Sequence, residues 1–165
     1  MAGPVDLYRF LDEQHIAYQR VDHPPVFTCQ EAEEKVPPLP GVHTKNLFVR
    51  DRKGKRHFLI TVGFDKQVDL KGLGTMLEVS KLGMASPQRL LKYLGVEPGS
   101  VTLLSVINDP DGAVDVVVDE AVWKAEALLC HPLINTATLS ISRGDIERFM
   151  DATGHTVRVL AVPGS

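Results

Sequence analysis

The chain has 165 residues, of which 44% are hydrophobic and 24% charged, a composition that is ordinary for a globular protein and predicts one domain spanning residues 1–165. Its apolar runs stay below the roughly 18 residues of a membrane span, and its N-terminus lacks a signal-peptide core, so we expect a cytoplasmic protein without membrane contact. A net charge of −3 argues against a general nucleic-acid binder such as a DNA-binding protein.

The charge is unevenly distributed along the chain. Between Val42 and Lys92 there are eleven Lys or Arg residues against four Asp or Glu, and five of these cations lie within Arg50–Arg56. Such a basic segment in an acidic protein can guide a phosphate backbone to one face, but it is equally typical of a solvated hairpin turn. The sequence leaves both interpretations open.

The first forty residues predict two helices around a short strand. Apolar spacing indicates a helix over Val5–His15, and 17–21 is typical of a strand. Thr28, with Glu31 three residues later, predicts a capping box at the start of a second, short helix. The proline-rich segment 36–41 cannot form a regular element and is expected to be a loop.

The stretch Val42–Val62 predicts a β-hairpin, because two apolar runs flank the charged segment Arg50–Arg56. Lys45 stands at the head of the first strand, followed by Asn46. A lysine on a rigid element can reach a ligand with a mobile point charge, although most lysines beside strands are simply solvated.

The remaining elements alternate between helices and strands. Asp69 is expected to cap a short helix, and Ser86 with Pro87 begins another that Gly95 ends. The apolar run 101–107 predicts a buried strand. Further strands are expected at 113–119, 128–130, 136–142 and 156–162, with helices at 120–124 and 144–153. The predicted fold is mixed α/β, with a central mixed, mostly antiparallel sheet and flanking helices.

No residue pattern identifies a chemistry by itself. The chain has no P-loop, no G-x-G-x-x-G, no H-E-x-x-H and no G-x-S-x-G motif, and no ligand spacing indicates a metal site. Cys29 and Cys130 are expected to be buried thiols, and His57 is expected at the surface. His131, in a loop with Asn135, is a candidate binding residue, or equally a histidine that satisfies loop backbone groups.

Four segments in this order carry a family resemblance that spans the whole chain: HPPVFTCQEAE, TKNLFVRD, KLGMASPQRLLKYLGVEPGSVTLLSVIND and HPLINTATLSISRGDIERFM. The chain resembles the YbaK-type aminoacyl-tRNA editing domains, which are related to the editing domain inserted in bacterial prolyl-tRNA synthetases. Within that superfamily it is most similar to the freestanding deacylases of Ala-tRNA(Pro).

The resemblance implies roles for particular residues. It places the contact with the terminal nucleotide of the tRNA acceptor end on Lys45, with Asn46 lining the same site. It aligns the G-x-x-x-P loop, which shapes the pocket and holds the ester carbonyl, with Gly99, Ser100, Val101, Thr102 and Leu103, where leucine replaces the proline. His131, Pro132 and Asn135 are implied to border the pocket.

The implied activity is hydrolysis of mischarged Ala-tRNA(Pro) in trans, without cofactor or metal, on the tRNA(Pro) acceptor end and with transient association with prolyl-tRNA synthetase. The attacking water would be positioned by a ribose hydroxyl of the substrate and by backbone groups. Two alternatives stay open: editing of another small amino acid such as Ser or Cys, and a catalytically silent module that binds tRNA or a synthetase.

Overall fold

The predicted hairpin is the centre of the sheet. The computed structural model describes residues 1–165, apart from the side chain of Cys29, so the expectation for that thiol lies outside the described residues. Strand β2 (Val42–Arg50) pairs antiparallel with strand β3 (His57–Gly63), from Thr44 opposite Gly63 to Arg50 opposite His57. Every β3 residue before Gly63 is buried, as expected of a strand whose apolar side chains are covered on both faces.

Eight strands, six α-helices and one 3-10 helix are formed by the residues that the structure describes. The strands are β1 Gln19–Asp22, β2 Val42–Arg50, β3 His57–Gly63, β4 Gly83–Met84, β5 Val114–Asp119, β6 Ala127–Cys130, β7 Ala137–Ser142 and β8 Val157–Leu160. The helices are α1 Pro4–Glu13, α2 Cys29–Lys35, α3 Leu70–Met76, α4 Pro87–Leu94, α5 Glu120–Trp123 and α6 Arg143–Ala152, with the 3-10 helix at Leu103–Asn108.

The strands form a mixed sheet in the order β1-β7-β6-β2-β3-β5-β8, and β4 adds to the free part of β2. Four pairings are antiparallel and three are parallel. The mixed α/β class predicted from the sequence is therefore confirmed.

Alternating side chains bury both faces of the sheet. Leu59 packs into a large cluster with residues of α1, α4 and α6, whereas its neighbours Phe58 and Ile60 face a smaller cluster with Leu73 of α3. This alternation is the two-residue period of a strand.

Local signals set the helix boundaries as predicted. The Thr28 hydroxyl accepts a hydrogen bond from the Glu31 amide at 3.0 Å, and Asp69 accepts one from Gly72 at 3.1 Å. Ser86 caps α4, which Gly95 ends in the left-handed conformation with φ +66°. Glycine suits that position because it has no Cβ to clash there.

Two expectations are wrong. The run 101–107 is not a strand, because the Thr102 hydroxyl accepts from the Leu104 amide and the Ser105 hydroxyl accepts from the Thr102 amide, which closes the 3-10 turn. His57 is not at the surface: it is 1% exposed and packs on the Tyr93 ring with centroids 4.1 Å apart.

Candidate functional site

A cavity lies where strands β2 and β6 separate. The two strands pair only at Val42–His43, whereas the far end of the same β2 edge pairs with β4 at Val49–Arg50. At the point of separation the Thr44 hydroxyl donates to the Leu129 carbonyl at 2.7 Å. This hydrogen bond fixes the base of the cavity.

The cavity has a volume of about 250 Å³, below the roughly 300–1,000 Å³ of sites for drug-sized ligands. Its apolar wall is formed by Val26, Phe27, Ala32, Val36, Phe64, Val101 and Leu129. Its polar groups come from Thr28, His43, Thr44, Lys45, Asn46, Cys130, His131 and Thr138, and Gly99 completes the lining. The dimensions suit a small group with an apolar part.

Lys45 and Asn46 enter the cavity from the head of β2. Lys45 is half-buried, and its ammonium group has no ion pair or hydrogen bond with the described residues. Thr61, opposite Asn46 on β3, donates its hydroxyl proton to the Asn46 amide oxygen at 2.6 Å. Asn46 is thereby oriented with its amide N–H groups available as donors, beside a free cation.

His131 presents a hydrogen-bond acceptor. Its Nδ1 donates to the Ala137 carbonyl at 3.1 Å, and within the described part of the chain its Nε2 has no partner. Burial lowers the pKa of His131, the hydrogen bond to Ala137 opposes that shift, and nearby His23 adds to it. The ring is therefore neutral near pH 7, with the Nε2 lone pair free.

A second acceptor comes from a buried hydrogen-bond pair. His23 Nδ1 lies 2.8 Å from the Pro24 carbonyl, which can only accept, so this nitrogen carries the proton. In the neutral form of the ring, His23 Nε2 then accepts the Thr138 hydroxyl proton at 2.8 Å. Because its proton is committed to His23, the Thr138 oxygen can only accept from a group in the cavity.

Gly99 sits against an exposed aromatic ring at the rim of the cavity. Its φ is +91°, and a Cβ built there would lie 3.1 Å from two ring atoms of Phe27. The Phe27 side chain is 68% exposed. Glycine is favoured here chiefly by the left-handed backbone conformation, and a Cβ would in addition require the exposed ring to move by a few tenths of an ångström.

Cys130 lines the cavity but is not suited to act as a nucleophile. Its side chain is 3% exposed, and burial raises the pKa of the thiol to about 12. A thiolate is the reactive form of cysteine, and almost none exists near neutral pH at that pKa. The prediction that Cys130 is a buried thiol is confirmed.

The structure brings together half of the residues that the sequence and the resemblance single out. Lys45, Asn46, Gly99, Val101 and His131 all line the cavity. The other five, namely Ser100, Thr102, Leu103, Pro132 and Asn135, are not among its lining residues.

These five residues differ in where they lie. Thr102 and Leu103 are fully buried and Pro132 is also buried, so their side chains lie in the protein interior, and contact of these three residues with substrate stays a prediction. Asn135 is half-buried, and its Nδ2 lies 3.7 Å from the position of a Cβ on Gly99, which places it at the edge of the site. Ser100 is half-buried beside Gly99.

Several lining residues are absent from the sequence-based set, among them Phe27, Thr44 and Thr138. They come from three separate segments that only the sheet order brings together. Thr44 directly precedes Lys45 and could have been found from that adjacency, whereas nothing local marks Thr138.

Neither a metal-binding cluster nor a membrane-spanning helix occurs among the described residues. Within the described residues, no group of three or more His, Cys, Asp or Glu side chains could hold a metal ion. Over the same residues, every helix is too short or too polar to cross a membrane. Independence from metal and cofactor remains a prediction.

Comparison with known proteins gives a consistent result. Residues 23–149 match the family model described as "Aminoacyl-tRNA editing domain". The chain is 37% identical over 150 residues to the prolyl-tRNA editing protein ProX of Acetoanaerobium sticklandii, covering 91% of this chain and 92% of the relative. It is 40% identical over 167 residues to prolyl-tRNA synthetase associated domain-containing protein 1 of Mus musculus, covering 97% and 98%.

A solved structure described as a candidate trans-editing enzyme for prolyl tRNA synthetase has the same fold, with a TM-score of 0.68 at 17% identity over 99% of both chains. The family model spans most of the chain, and two relatives exceed 30% identity over nearly its full length. The resemblance stated from the four sequence segments is confirmed, and the chain belongs to the aminoacyl-tRNA editing domain family.

Proposed function

We propose that this protein is a trans-acting hydrolase that removes alanine from mischarged Ala-tRNA(Pro). The relatives named above are a prolyl-tRNA editing protein and a protein with a prolyl-tRNA synthetase associated domain. One observation carries the proposal: Lys45 is the only Lys, Arg, Asp or Glu residue in the described lining of a small cavity that combines an apolar wall with uncharged hydrogen-bonding groups.

The lining provides a complementary group for each part of an alanyl ester. The Lys45 ammonium, without an ion pair among the described residues, suits a phosphate or the terminal nucleotide. The α-ammonium group of alanine needs acceptors, which His131 Nε2 and the Thr138 oxygen supply. The methyl side chain would contact the apolar wall.

The chemistry requires no protein nucleophile. A water oxygen attacks the ester carbonyl carbon, the bond from that carbon to the ribose oxygen breaks, and a proton passes to the leaving ribose oxygen. The products are free alanine and uncharged tRNA. The buried Cys130 thiol takes no part, so positioning of water and stabilisation of the developing oxyanion carry the rate.

Specificity against the cognate amino acid would be steric. One methylene separates similar substrates by only about 1–3 kcal/mol through binding, which is why a synthetase needs a second, hydrolytic sieve. The cavity has a volume of about 250 Å³ and would also admit part of the terminal nucleotide, so we propose that the larger prolyl ring is excluded while alanine is accepted.

The partner we propose is the acceptor end of tRNA(Pro), with transient association with prolyl-tRNA synthetase. No DNA or membrane partner is proposed. A cytoplasmic location, where charged tRNA is available, stays a prediction.

The test is deacylation of purified Ala-, Ser-, Cys- and Pro-tRNA(Pro) by the wild type, by Lys45→Ala and by Lys71→Ala as a matched control. Lys71 is exposed on α3 and does not line the cavity. We expect Ala-tRNA(Pro) to be the preferred substrate. Loss of a charged hydrogen bond of about 1.5–3 kcal/mol predicts a fall of roughly 10- to 150-fold in kcat/KM for Lys45→Ala.

Each other outcome has a defined meaning. Full activity of Lys45→Ala removes the role given to that ammonium group. Faster hydrolysis of Ser- or Cys-tRNA(Pro) identifies a different editing specificity. Absence of hydrolysis with all four esters leaves a binding module that has kept the fold.

A further inference from the structure

The turn of the β2–β3 hairpin, residues 51–56, carries cations that the fold does not use. Arg52, Lys53 and Lys55 are exposed, and no carboxylate of the described residues pairs with them. Arg56 differs, because its guanidinium lies 3.5 Å from the Asp115 carboxylate. Three free positive charges within four residues are a strong local field for an anion.

We propose that these three cations bind the phosphate backbone of the tRNA acceptor arm while the aminoacylated 3′ end occupies the cavity. The inference rests on the proposed function, and it adds the surface along which the RNA lies. It adopts the first of the two interpretations that the sequence left open for the basic segment, in which that segment guides a phosphate backbone.

The turn is a rigid support. The Asp51 carboxylate accepts hydrogen bonds from the Lys55 amide at 2.8 Å and from the Arg56 amide at 3.2 Å. Arg89 of α4 donates to the Gly54 carbonyl at 3.0 Å, and the same guanidinium nitrogen lies 2.9 Å from His57 Nε2. Because hydrogen bonds hold the backbone of the turn from both sides, little conformational entropy of the backbone is lost when the free cations bind.

Helix α4 connects this turn to the cavity. Its first half contacts the turn through Arg89, and five residues after it ends at Leu94, Gly99 lines the cavity. Between these points α4 exposes Lys92, whose ammonium lies 5.3 Å from the Tyr93 ring centroid. Helix α4 therefore links the turn to the rim of the cavity through the chain, and Lys92 is an exposed cation between them.

The distance suits a polynucleotide. Strand β2 runs from Lys45 in the cavity to Arg50 beside the turn, and five residues of strand span about 17 Å. A single nucleotide cannot bridge that gap. A single-stranded RNA end that continues into a duplex can place its last nucleotide at Lys45 and earlier phosphates at the turn.

Charge on helix α2, which also lines the cavity, gives the direction. Helix α2 lines the cavity through Ala32 and carries three glutamates, Glu31, Glu33 and Glu34. Among the described side chains, only Glu31 has a cation partner, the Lys35 ammonium at 3.1 Å. Phosphates that leave the cavity are repelled by α2 and attracted by the hairpin turn. The acceptor arm is therefore directed along α4.

The experiment compares two triple variants with the same change of charge. The test variant is Arg52→Gln/Lys53→Gln/Lys55→Gln. The control is Lys71→Gln/Lys124→Gln/Arg158→Gln, whose residues are exposed on α3, after α5 and on β8. Each is assayed on Ala-tRNA(Pro) and on a short CCA-ending oligonucleotide that carries the same alanyl ester.

We expect the test variant to lose at least tenfold in kcat/KM on Ala-tRNA(Pro), and to show a shallower salt dependence by roughly 0.7–0.9 per lost phosphate contact in a log–log plot. On the short ester it should match the wild type, because that substrate does not reach the turn. The control should match the wild type on both substrates. Equal kinetics of the two triple variants on Ala-tRNA(Pro) would overturn the proposal.

Failure of the proposed function has a different signature. If the wild type hydrolyses neither ester, the Kd for uncharged tRNA(Pro) is measured for all three proteins. Weaker binding by the test variant alone, by at least tenfold, supports the RNA surface independently of catalysis. Equal Kd values for the three proteins refute it.

Discussion

The substitution Gly99→Ala tests whether the rim of the cavity depends on the left-handed backbone of this residue. A Cβ at Gly99 would meet the Phe27 ring at 3.1 Å, and φ is +91°. The two effects differ in how far the protein can relieve them. The 68% exposed Phe27 ring can move by a few tenths of an ångström into solvent, whereas the backbone conformation is set by the loop.

The expected loss of stability follows from these two terms. A non-glycine residue in a sparsely populated conformation destabilises the folded protein by about 1–3 kcal/mol. Alanine also restricts the unfolded chain, which stabilises the protein by about 0.4–1 kcal/mol. The ring contact adds little because Phe27 can shift. We expect the free energy of unfolding to fall by about 1–2 kcal/mol, and kcat/KM on Ala-tRNA(Pro) to fall at least about tenfold because the loop moves.

Urea unfolding and deacylation assays measure the two quantities, with Gly144→Ala as the control. Gly144 is the second residue of α6, with nothing within 4 Å of its Cβ position, so alanine there should leave stability unchanged or raise it by up to about 1 kcal/mol. A Gly99→Ala protein as stable as the wild type would refute the backbone argument. Lower stability with unchanged kcat/KM would show that this loop is not part of the site.

Two further predictions concern histidines. His131→Asn should change the ratio of Ala- to Ser-tRNA(Pro) hydrolysis. The pH profile of activity between pH 6 and 8 should stay the same, because burial lowers the pKa of His131 and keeps the ring neutral. Loss of a limb of that profile near neutrality would instead indicate that His131 acts as an acid or base. Burial, and then Arg89, lower the pKa of His57, so the unfolded chain takes up a proton that the folded protein rejects. The free energy of unfolding should therefore be constant above the unfolded pKa of about 6.5 and fall as pH decreases, by at most about 1.4 kcal/mol per pH unit for this group. His57→Gln, which keeps an acceptor for Arg89, should reduce that fall in urea titrations, and an unchanged acid slope would contradict the assigned cause.

Features that depend on neighbours in sequence were predictable. A cap needs only a hydroxyl or carboxylate three residues before the amide that it accepts, which is why Thr28, Asp69 and Ser86 are correct from sequence alone. The hairpin was equally predictable from sequence, because two apolar runs on either side of a charged turn have few strand pairings other than with each other.

Features that depend on tertiary contacts were not predictable in the same way. His57 was expected at the surface, but its ring is covered by Tyr93 and Phe48 from other elements. The cavity shows the same limit: Lys45 is visible as a lysine at a strand head, while its companions Thr138 and Phe27 come from distant segments. For Lys45 the family resemblance, rather than spacing, distinguished a site residue from a solvated lysine.

Leu103 stands where the resemblance implies a proline, so the loop that begins at Gly99 must be held in another way. A proline would restrict the backbone through its ring. Here Leu103 is fully buried at the start of the 3-10 helix, and Thr102 and Ser105 lock the first turn with reciprocal hydrogen bonds to backbone amides. Burial and these caps together fix the end of the loop, so the leucine need not loosen the site. The determinants of amino-acid size should therefore be sought in the cavity wall, at residues such as Val101 and Val26, and not at position 103.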